Sequence, residues 1–155
     1  MKKTNAIRLL EQKKIPFDLI TYTYNSDNLN VEQIAKDNHL ELHQIYKTLV
    51  VQGDKTGLLV ALVPGNQSLS LKKLAAISGN KKVSMVAVKD LQRHTGYIRG
   101  GCSPFGMKKQ YATYVSKEAK DLEIMYVNAG VRGLLVGGKP SELCAAIDVE
   151  WSELI

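Results

Sequence analysis

The stretch YKTLVVQGDKTGLLVALVP, residues 46–64, decides the fold. Two runs rich in aliphatic and β-branched residues, 46–52 and 58–64, flank the segment GDKTG at 53–57. Apolar runs of this length on either side of a short segment containing glycine are typical of two strands joined by a hairpin loop. The stretch therefore predicts an antiparallel strand pair, and with it a sheet that is at least partly antiparallel.

Helix and strand patterns alternate on both sides of this hairpin. Apolar spacing of three or four residues, together with capping residues and terminal glycine or proline, predicts helices over 4–14, 31–38, 71–77, 88–94 and 140–147. Short runs rich in β-branched and aliphatic residues predict further strands over 17–24, 83–86, 112–115, 123–128 and 134–136. The pattern predicts an α/β or α+β domain in which helices surround a mixed, largely antiparallel sheet.

Composition indicates a single globular domain, residues 1–155. The chain is 45% hydrophobic and 23% charged, and no linker, repeat or low-complexity tract divides it. Charges interrupt the first apolar residues before a signal-peptide core can form, and no apolar run reaches the roughly 20 residues of a membrane span. Cys102 and Cys144 form neither a disulfide framework nor a metal-binding spacing. We expect a cytoplasmic protein that needs no metal or cofactor.

The charge balance favours a polyanionic partner such as RNA. Lys and Arg number 21 against 15 Asp and Glu, a formal net charge of +6. Lysine pairs lie at 72–73, 81–82 and 108–109, and each pair alone is more typical of a solvated surface than of a binding site. A polyanion would need these pairs to converge in space.

The segment TGYIRGGCSPFG, residues 95–106, has the composition of a binding loop. Gly100 and Gly101 lack Cβ atoms, so a ligand can approach the main chain, and consecutive N–H groups in a turn can form a concave anion-binding site. A purely structural turn is the alternative.

Lys47 is the unusual residue of the first strand. Alternation places it on the same face as Leu49 and Val51. If that face is covered, the ammonium must be paired, neutralised or presented to a ligand. Alternatively, Lys47 marks a strand end and extends its ammonium to water.

Three motifs in this order resemble the YbaK/EbsC family, which is related to the editing domain of bacterial prolyl-tRNA synthetases. They are YKTL at 46–49, the glycine segment at 96–106, and YVNAGVRGL at 126–134. The segment LKKLA at 71–75 and the opening helix also fit, so the resemblance runs nearly end to end.

The resemblance implies a free-standing aminoacyl-tRNA deacylase that clears mischarged tRNA(Pro), foremost Cys-tRNA(Pro). Lys47 would bind the terminal phosphate or adenosine end of the tRNA, a task that suits a point charge. Main-chain N–H groups of Gly100, Gly101 and Cys102 would polarise the ester carbonyl. The implied partners are tRNA and prolyl-tRNA synthetase.

The resemblance also implies how the ester is attacked and what lines the pocket. A cysteinyl ester would be attacked by its own thiol, giving a thiolactone, whereas an alanyl ester would need a positioned water. The residues implied to bind substrate are Tyr22, Asn30, Thr48, Cys102, Ser103 and Asn128. Tyr22 equally fits a core position, and Asn30 fits the cap of the helix at 31–38.

Two positions depart from the family pattern. Leu135 stands where close relatives carry an aspartate, and Val31 stands where they often carry an aromatic residue. A pocket without the carboxylate positions a polar group or a water less well, so the identity of the amino acid, cysteine or alanine, stays open.

Two other functions also stay open, as does the oligomeric state. In a cysteine hydrolase, Cys102 would be the nucleophile and His39, His43 or His94 its base. Relatives commonly have an aliphatic residue at position 102, which favours a packing role for this cysteine. A non-enzymatic RNA-binding or regulatory module would keep the fold and the basic surface with a changed pocket.

Overall fold

The computed structural model describes residues 3–155, which form two sheets and five short helices. The strands are β1 (Asp18–Thr21), β2 (Tyr46–Gly53), β3 (Gly57–Pro64), β4 (Val83–Met85), β5 (Ala112–Ser116), β6 (Met125–Asn128), β7 (Leu134–Gly138) and β8 (Val149–Ser152). The helices are α1 (Asn5–Gln12), α2 (Val31–Asp37), α3 (Leu71–Ser78), α4 (Val88–Thr95) and α5 (Pro140–Leu143). Within residues 3–155, no helix is long and apolar enough to cross a membrane.

The larger sheet has five strands in the order β4-β2-β3-β5-β8. The predicted hairpin is its centre, with β2 and β3 antiparallel from the pair Tyr46 and Pro64 to the pair Gly53 and Gly57. β4 is antiparallel to β2, while β5 and β8 extend the sheet with parallel pairing. The prediction of a mixed, largely antiparallel architecture is confirmed.

The smaller sheet has three antiparallel strands in the order β1-β7-β6. A single parallel bridge between Ile45 and Tyr126 links it to the start of β2. The largest buried cluster lies where α1, both sheets and the glycine segment meet, and includes Leu10, Phe105 and Val136. The division of the strands between two sheets was not predicted, because it depends on contacts between distant segments.

Element bounds differ from the predictions where pairing overrides local pattern. The first predicted strand shrinks to β1, because only Asp18–Thr21 finds a partner in β7. The predicted helix 140–147 was too long, since α5 passes into a 3₁₀ turn at Cys144–Ala146. β8 was missed, because a four-residue segment containing Glu150 becomes a strand only through its pairing with β5.

Candidate functional site

A cavity of about 380 Å³ lies along the edge of β2 that faces away from β3. Six consecutive residues, 45–50, line it. Because successive side chains of a strand point to opposite faces, six consecutive lining residues indicate that the main chain itself forms this wall. The opposite walls come from the smaller sheet, α2, α4 and the glycine segment, and include Tyr22, Leu29, Val31, Ile34, Leu91, Arg99, Gly100, Cys102, Asn128 and Leu135.

Thr48 is the polar residue at the middle of this wall. It lies between the bridge at Ile45 and the point where β4 begins to cover β2. Its hydroxyl oxygen is buried and has no hydrogen-bond partner among residues 3–155. Buried polar atoms are normally paired, so this hydroxyl identifies a place where a ligand can supply the missing partner.

Lys47 is held at the rim of the cavity. It lies opposite Val63 of β3, and its Nζ donates to the Gln67 carbonyl at 2.7 Å. That carbonyl belongs to a turn closed by the Gln67 N–H, which donates to the Pro64 carbonyl at 3.0 Å. Burial lowers the pKa of Lys47, and the charge of Glu32 partly offsets this shift. One of the three ammonium donors is therefore engaged, and two are available to an anionic ligand.

The glycine segment folds into a tight turn over residues 98–101. The Gly101 N–H donates to the Ile98 carbonyl at 2.9 Å. Gly100 has φ +84°, a conformation that side chains disfavour, so glycine is required there. Since the Gly101 N–H is engaged within the turn, its predicted role in polarising an ester carbonyl is not supported. Gly100 and Cys102 line the cavity and retain that role as candidates.

Asn128 fixes this turn to the smaller sheet. Its Nδ2 donates to the Gly100 carbonyl at 2.8 Å and to the Tyr22 hydroxyl oxygen at 3.2 Å. Its Oδ1 accepts from the Gly130 N–H at 2.8 Å. Burial raises the pKa of Tyr22, which keeps its hydroxyl protonated. The side chain of Asn128 thus uses its N–H donors and its oxygen to hold the glycine turn against the smaller sheet.

Comparison with known proteins identifies the family to which the chain belongs. The family model described as the aminoacyl-tRNA editing domain matches residues 26–145. The chain belongs to the aminoacyl-tRNA editing domain family. The earlier resemblance is therefore confirmed, and all residues lining the cavity beside β2 except Tyr22 lie within the matched part of the chain.

Three relatives illustrate the range of the editing domain. A protein of Enterococcus faecalis, EbsC, to which Cys-tRNA(Pro)/Cys-tRNA(Cys) deacylase activity is ascribed, is 46% identical over 153 residues, covering 99% of this chain and 93% of the relative. A proline–tRNA ligase of Thermosipho africanus is 31% identical over 86 residues, covering 56% of this chain and 15% of the ligase. A solved structure ascribed to a trans-editing enzyme for prolyl-tRNA synthetase superposes with a TM-score of 0.80 at 22% identity, covering 99% of this chain and 98% of that one.

Two residues predicted to bind substrate serve other purposes in the editing domain. Asn30 is exposed and does not line the cavity; it caps α2, its Oδ1 accepting from the Glu32 N–H at 2.7 Å. Ser103 is fully buried, and its hydroxyl oxygen accepts from the Phe105 N–H at 3.2 Å. The assignments of Asn30 and Ser103 as substrate-binding residues are therefore corrected.

Cys102 lines the cavity but is not set up as a nucleophile. Burial raises the pKa of its thiol to about 11, so the thiol is protonated near neutral pH. The cavity-lining residues include no histidine from the described part of the chain. The cysteine-hydrolase alternative therefore lacks both a thiolate and an adjacent base.

Sequence reasoning missed much of the apolar lining and one charged residue of the editing domain. Ile34, which was not predicted to line the pocket, packs with Tyr22 and Leu135 in a small buried cluster at the cavity wall. Arg99 lines the cavity beside Gly100. The position of Arg99 next to a glycine pair was the signal that could have identified it.

A larger cleft of about 550 Å³ lies at the opposite edge of the five-stranded sheet. Alternate residues of β8, Val149 and Trp151, line it, together with Lys120, Lys139 and Cys144. The Lys120 ammonium lies 5.3 Å from the centre of the Trp151 ring, and burial raises the pKa of Cys144 to about 12.

Proposed function

We propose that this chain is a free-standing aminoacyl-tRNA deacylase that removes a small amino acid from mischarged tRNA(Pro), foremost cysteine. The observation that carries the proposal is the single cavity bordered by the Lys47 ammonium, the Gly100 turn and the unpaired hydroxyl of Thr48. Family membership and the activity ascribed to the 46% identical relative support it.

Lys47 binds the phosphate of the terminal nucleotide in this proposal. Its ammonium has two donors left after the bond to Gln67, and a compact cation suits a phosphate approached from the rim. A cavity of about 380 Å³ is within the usual range for small-ligand sites and takes an aminoacyl group with part of the ribose.

The glycine turn polarises the ester. Main-chain N–H groups of Gly100 and Cys102 are the donors for the carbonyl oxygen, and Asn128 holds the turn in place. For a cysteinyl ester, the substrate sulfur bonds to its own carbonyl carbon, the bond to the ribose oxygen breaks, and the thiol proton passes to that oxygen. The products are a thiolactone and free tRNA. No protein nucleophile is required, which agrees with the protonated state of Cys102.

Alanine is the second candidate substrate. The apolar side chains of Leu135 and Val31 line the cavity, and such a wall suits a methyl group as well as a thiol. An alanyl ester would be attacked by water held in the cavity.

We further propose that residues 1–155 act as one editing domain in the cytoplasm. The net charge of +6 supports contact with the tRNA backbone, and prolyl-tRNA synthetase is the proposed docking partner.

The test is a deacylation time course with cysteinyl-tRNA(Pro) and alanyl-tRNA(Pro). We expect wild type to cleave at least one ester. Lys47→Ala should cleave that ester at least about 100-fold more slowly, because a charged contact to the substrate is lost. Binding of uncharged tRNA should be largely unchanged. The matched control is Lys55→Ala, since Lys55 is an exposed lysine of the hairpin loop at the other end of β2. Retained tRNA binding with no turnover of either ester by wild type would instead support the RNA-binding module.

A further inference from the structure

We propose that the cavity selects aminoacyl esters with a free α-amine, and that Thr48 is the residue that receives this amine. The inference rests on the proposed function and adds a selectivity to it. Three polar groups of Thr48 support this selectivity: its main-chain N–H, its carbonyl and its hydroxyl.

The hydrogen bonds of neighbouring residues show which way the main chain of Thr48 faces. The Ile45 carbonyl accepts from the Gly65 N–H on the β3 side, at 2.7 Å. The Val50 carbonyl accepts from the Val86 N–H on the opposite side, at 3.0 Å. Because main-chain groups alternate along a strand, odd-numbered residues of β2 bond to β3 and even-numbered residues face the cavity. The N–H and carbonyl of Thr48 therefore face the cavity.

Neighbouring segments cover this edge on both sides of Thr48 but do not reach it. The smaller sheet touches β2 at Ile45 through the bridge to Tyr126. The β4 side meets it from Val50 onward, through Val86. Within residues 3–155, no strand pairs with Thr48 from the cavity side. The gap in the sheet edge is therefore about one residue long.

The hydroxyl of Thr48 adds a third group at the same place. It is buried and has no hydrogen-bond partner among residues 3–155. Burying a polar group without a partner is unfavourable, so the site favours a ligand that supplies one. A carbonyl and a hydroxyl oxygen of the same residue can both accept from a group with at least two N–H donors.

An aminoacyl ester has the complementary groups in the right order. Its α-amine is a donor and its ester carbonyl an acceptor, as in one residue of an added strand. The α-amine donates to the Thr48 carbonyl and hydroxyl. The ester carbonyl oxygen has two lone pairs, so it accepts from the Thr48 N–H as well as from a main-chain N–H of the glycine turn. An α-hydroxy ester of the same size has a single donor and no positive charge, so it leaves one acceptor unpaired.

The first experiment compares the ester that wild type cleaves best with its α-hydroxy counterpart on the same tRNA. Deamination of alanyl-tRNA with nitrous acid supplies the lactyl ester, which has nearly the same shape. We expect wild type to cleave the α-amino ester about 10- to 100-fold faster, the range typical of hydrogen bonds to a charged group. Equal rates for the two esters would overturn the inference and leave the proposed function intact. Cleavage of neither ester would overturn both.

The second experiment identifies Thr48 as the recognising residue. Thr48→Val removes the hydroxyl and keeps the branched shape, so the preference for the α-amino ester should shrink several-fold. Thr48→Ser keeps a hydroxyl and should restore it. Because the hydroxyl has no hydrogen-bond partner among residues 3–155, Thr48→Val should unfold at the same temperature as wild type or higher. An equal loss of rate on both esters in Thr48→Val would overturn the assignment of Thr48 to amine recognition.

Discussion

The cavity beside β2 and the cleft beside β8 contain similar reactive side chains. Each holds one buried cysteine, Cys102 or Cys144, and at least one lysine. The cleft beside β8 is the larger, at about 550 Å³ against about 380 Å³. Size and side-chain chemistry therefore do not distinguish the proposed catalytic cavity from the cleft.

The two sites differ in their main chain. Consecutive residues 45–50 line the cavity, whereas only alternate residues of β8 line the cleft. Among the described residues, the edge of β2 thus presents unpaired main-chain groups to the cavity, while β8 presents the side chains of Val149 and Trp151 to the cleft. The lysines of the two sites also differ in their contacts. Lys120 of the cleft lies over the Trp151 ring, whereas Lys47 of the cavity donates one hydrogen bond and keeps two N–H donors for a ligand. The availability of main-chain donors and acceptors is the feature that distinguishes the proposed site from the cleft.

The largest expected effect concerns the two cysteines, which should be equally inert. At pH 8, a thiol with a pKa of about 11 is roughly one part in a thousand thiolate, against about a quarter for an ordinary cysteine. Iodoacetamide should therefore label Cys102 and Cys144 in the folded protein more than about 100-fold slower than in urea. Mass spectrometry of Cys144→Ala and Cys102→Ala would follow each thiol separately. Rapid labelling of Cys102 alone would show that the two thiols differ in reactivity, and it would support Cys102 as a nucleophile.

A smaller effect is expected from Asn128→Ala, which releases the glycine turn. Loss of the bonds to the Gly100 carbonyl and the Tyr22 hydroxyl should lower kcat about 10- to 100-fold, with a stability loss of about 1–3 kcal/mol. Deacylation kinetics and chemical denaturation measure the two effects. Asn80→Ala is the matched control, because Asn80 holds the hairpin loop through the Lys55 and Thr56 N–H groups.

Asn80→Ala should therefore lose stability without lowering kcat of the folded protein. Asn128→Asp separates the two roles of Asn128 further, since the carboxylate still accepts from the Gly130 N–H but cannot donate to Gly100. Full activity in Asn128→Asp would show that the turn does not need this anchor.

The smallest effect is expected from Lys120→Ala in the cleft. Removing the ammonium above Trp151 costs up to about 1 kcal/mol of stability and should change the deacylation rate less than about twofold. Steady-state kinetics beside a thermal melt would measure both. A drop in activity comparable to that of Lys47→Ala would mean that the two sites work together, and the contrast drawn from their main chains would fail.

Local patterns predicted the hairpin and two of the central site residues. Residues 46–64 form the hairpin because their alternation and their loop glycines are local properties of the chain. Lys47 and Gly100 were proposed from local pattern, and Thr48 and Asn128 through the family resemblance; the structure brings all four to one cavity.

Non-local features could not be predicted in the same way. β8 exists through pairing with β5, and the gap at Thr48 depends on where β4 and the smaller sheet stop. Asn30 and Ser103 were assigned to the pocket through the family resemblance, which does not reveal whether a side-chain oxygen already has a local partner. The engagement of the Gly101 N–H is likewise a property of the folded turn.

The smaller sheet also affects when the site can form during synthesis. Asp18 of β1 pairs with Gly137 of β7, so β1 lacks this strand partner until β7, more than 110 residues later, has left the ribosome. The hairpin, by contrast, is complete by Pro64. Tyr22 and Asn128 therefore come together late, and a nascent chain has its lysine and its hairpin before it has a closed cavity. Folding to the active form is accordingly expected to be limited by closure of this long chain segment.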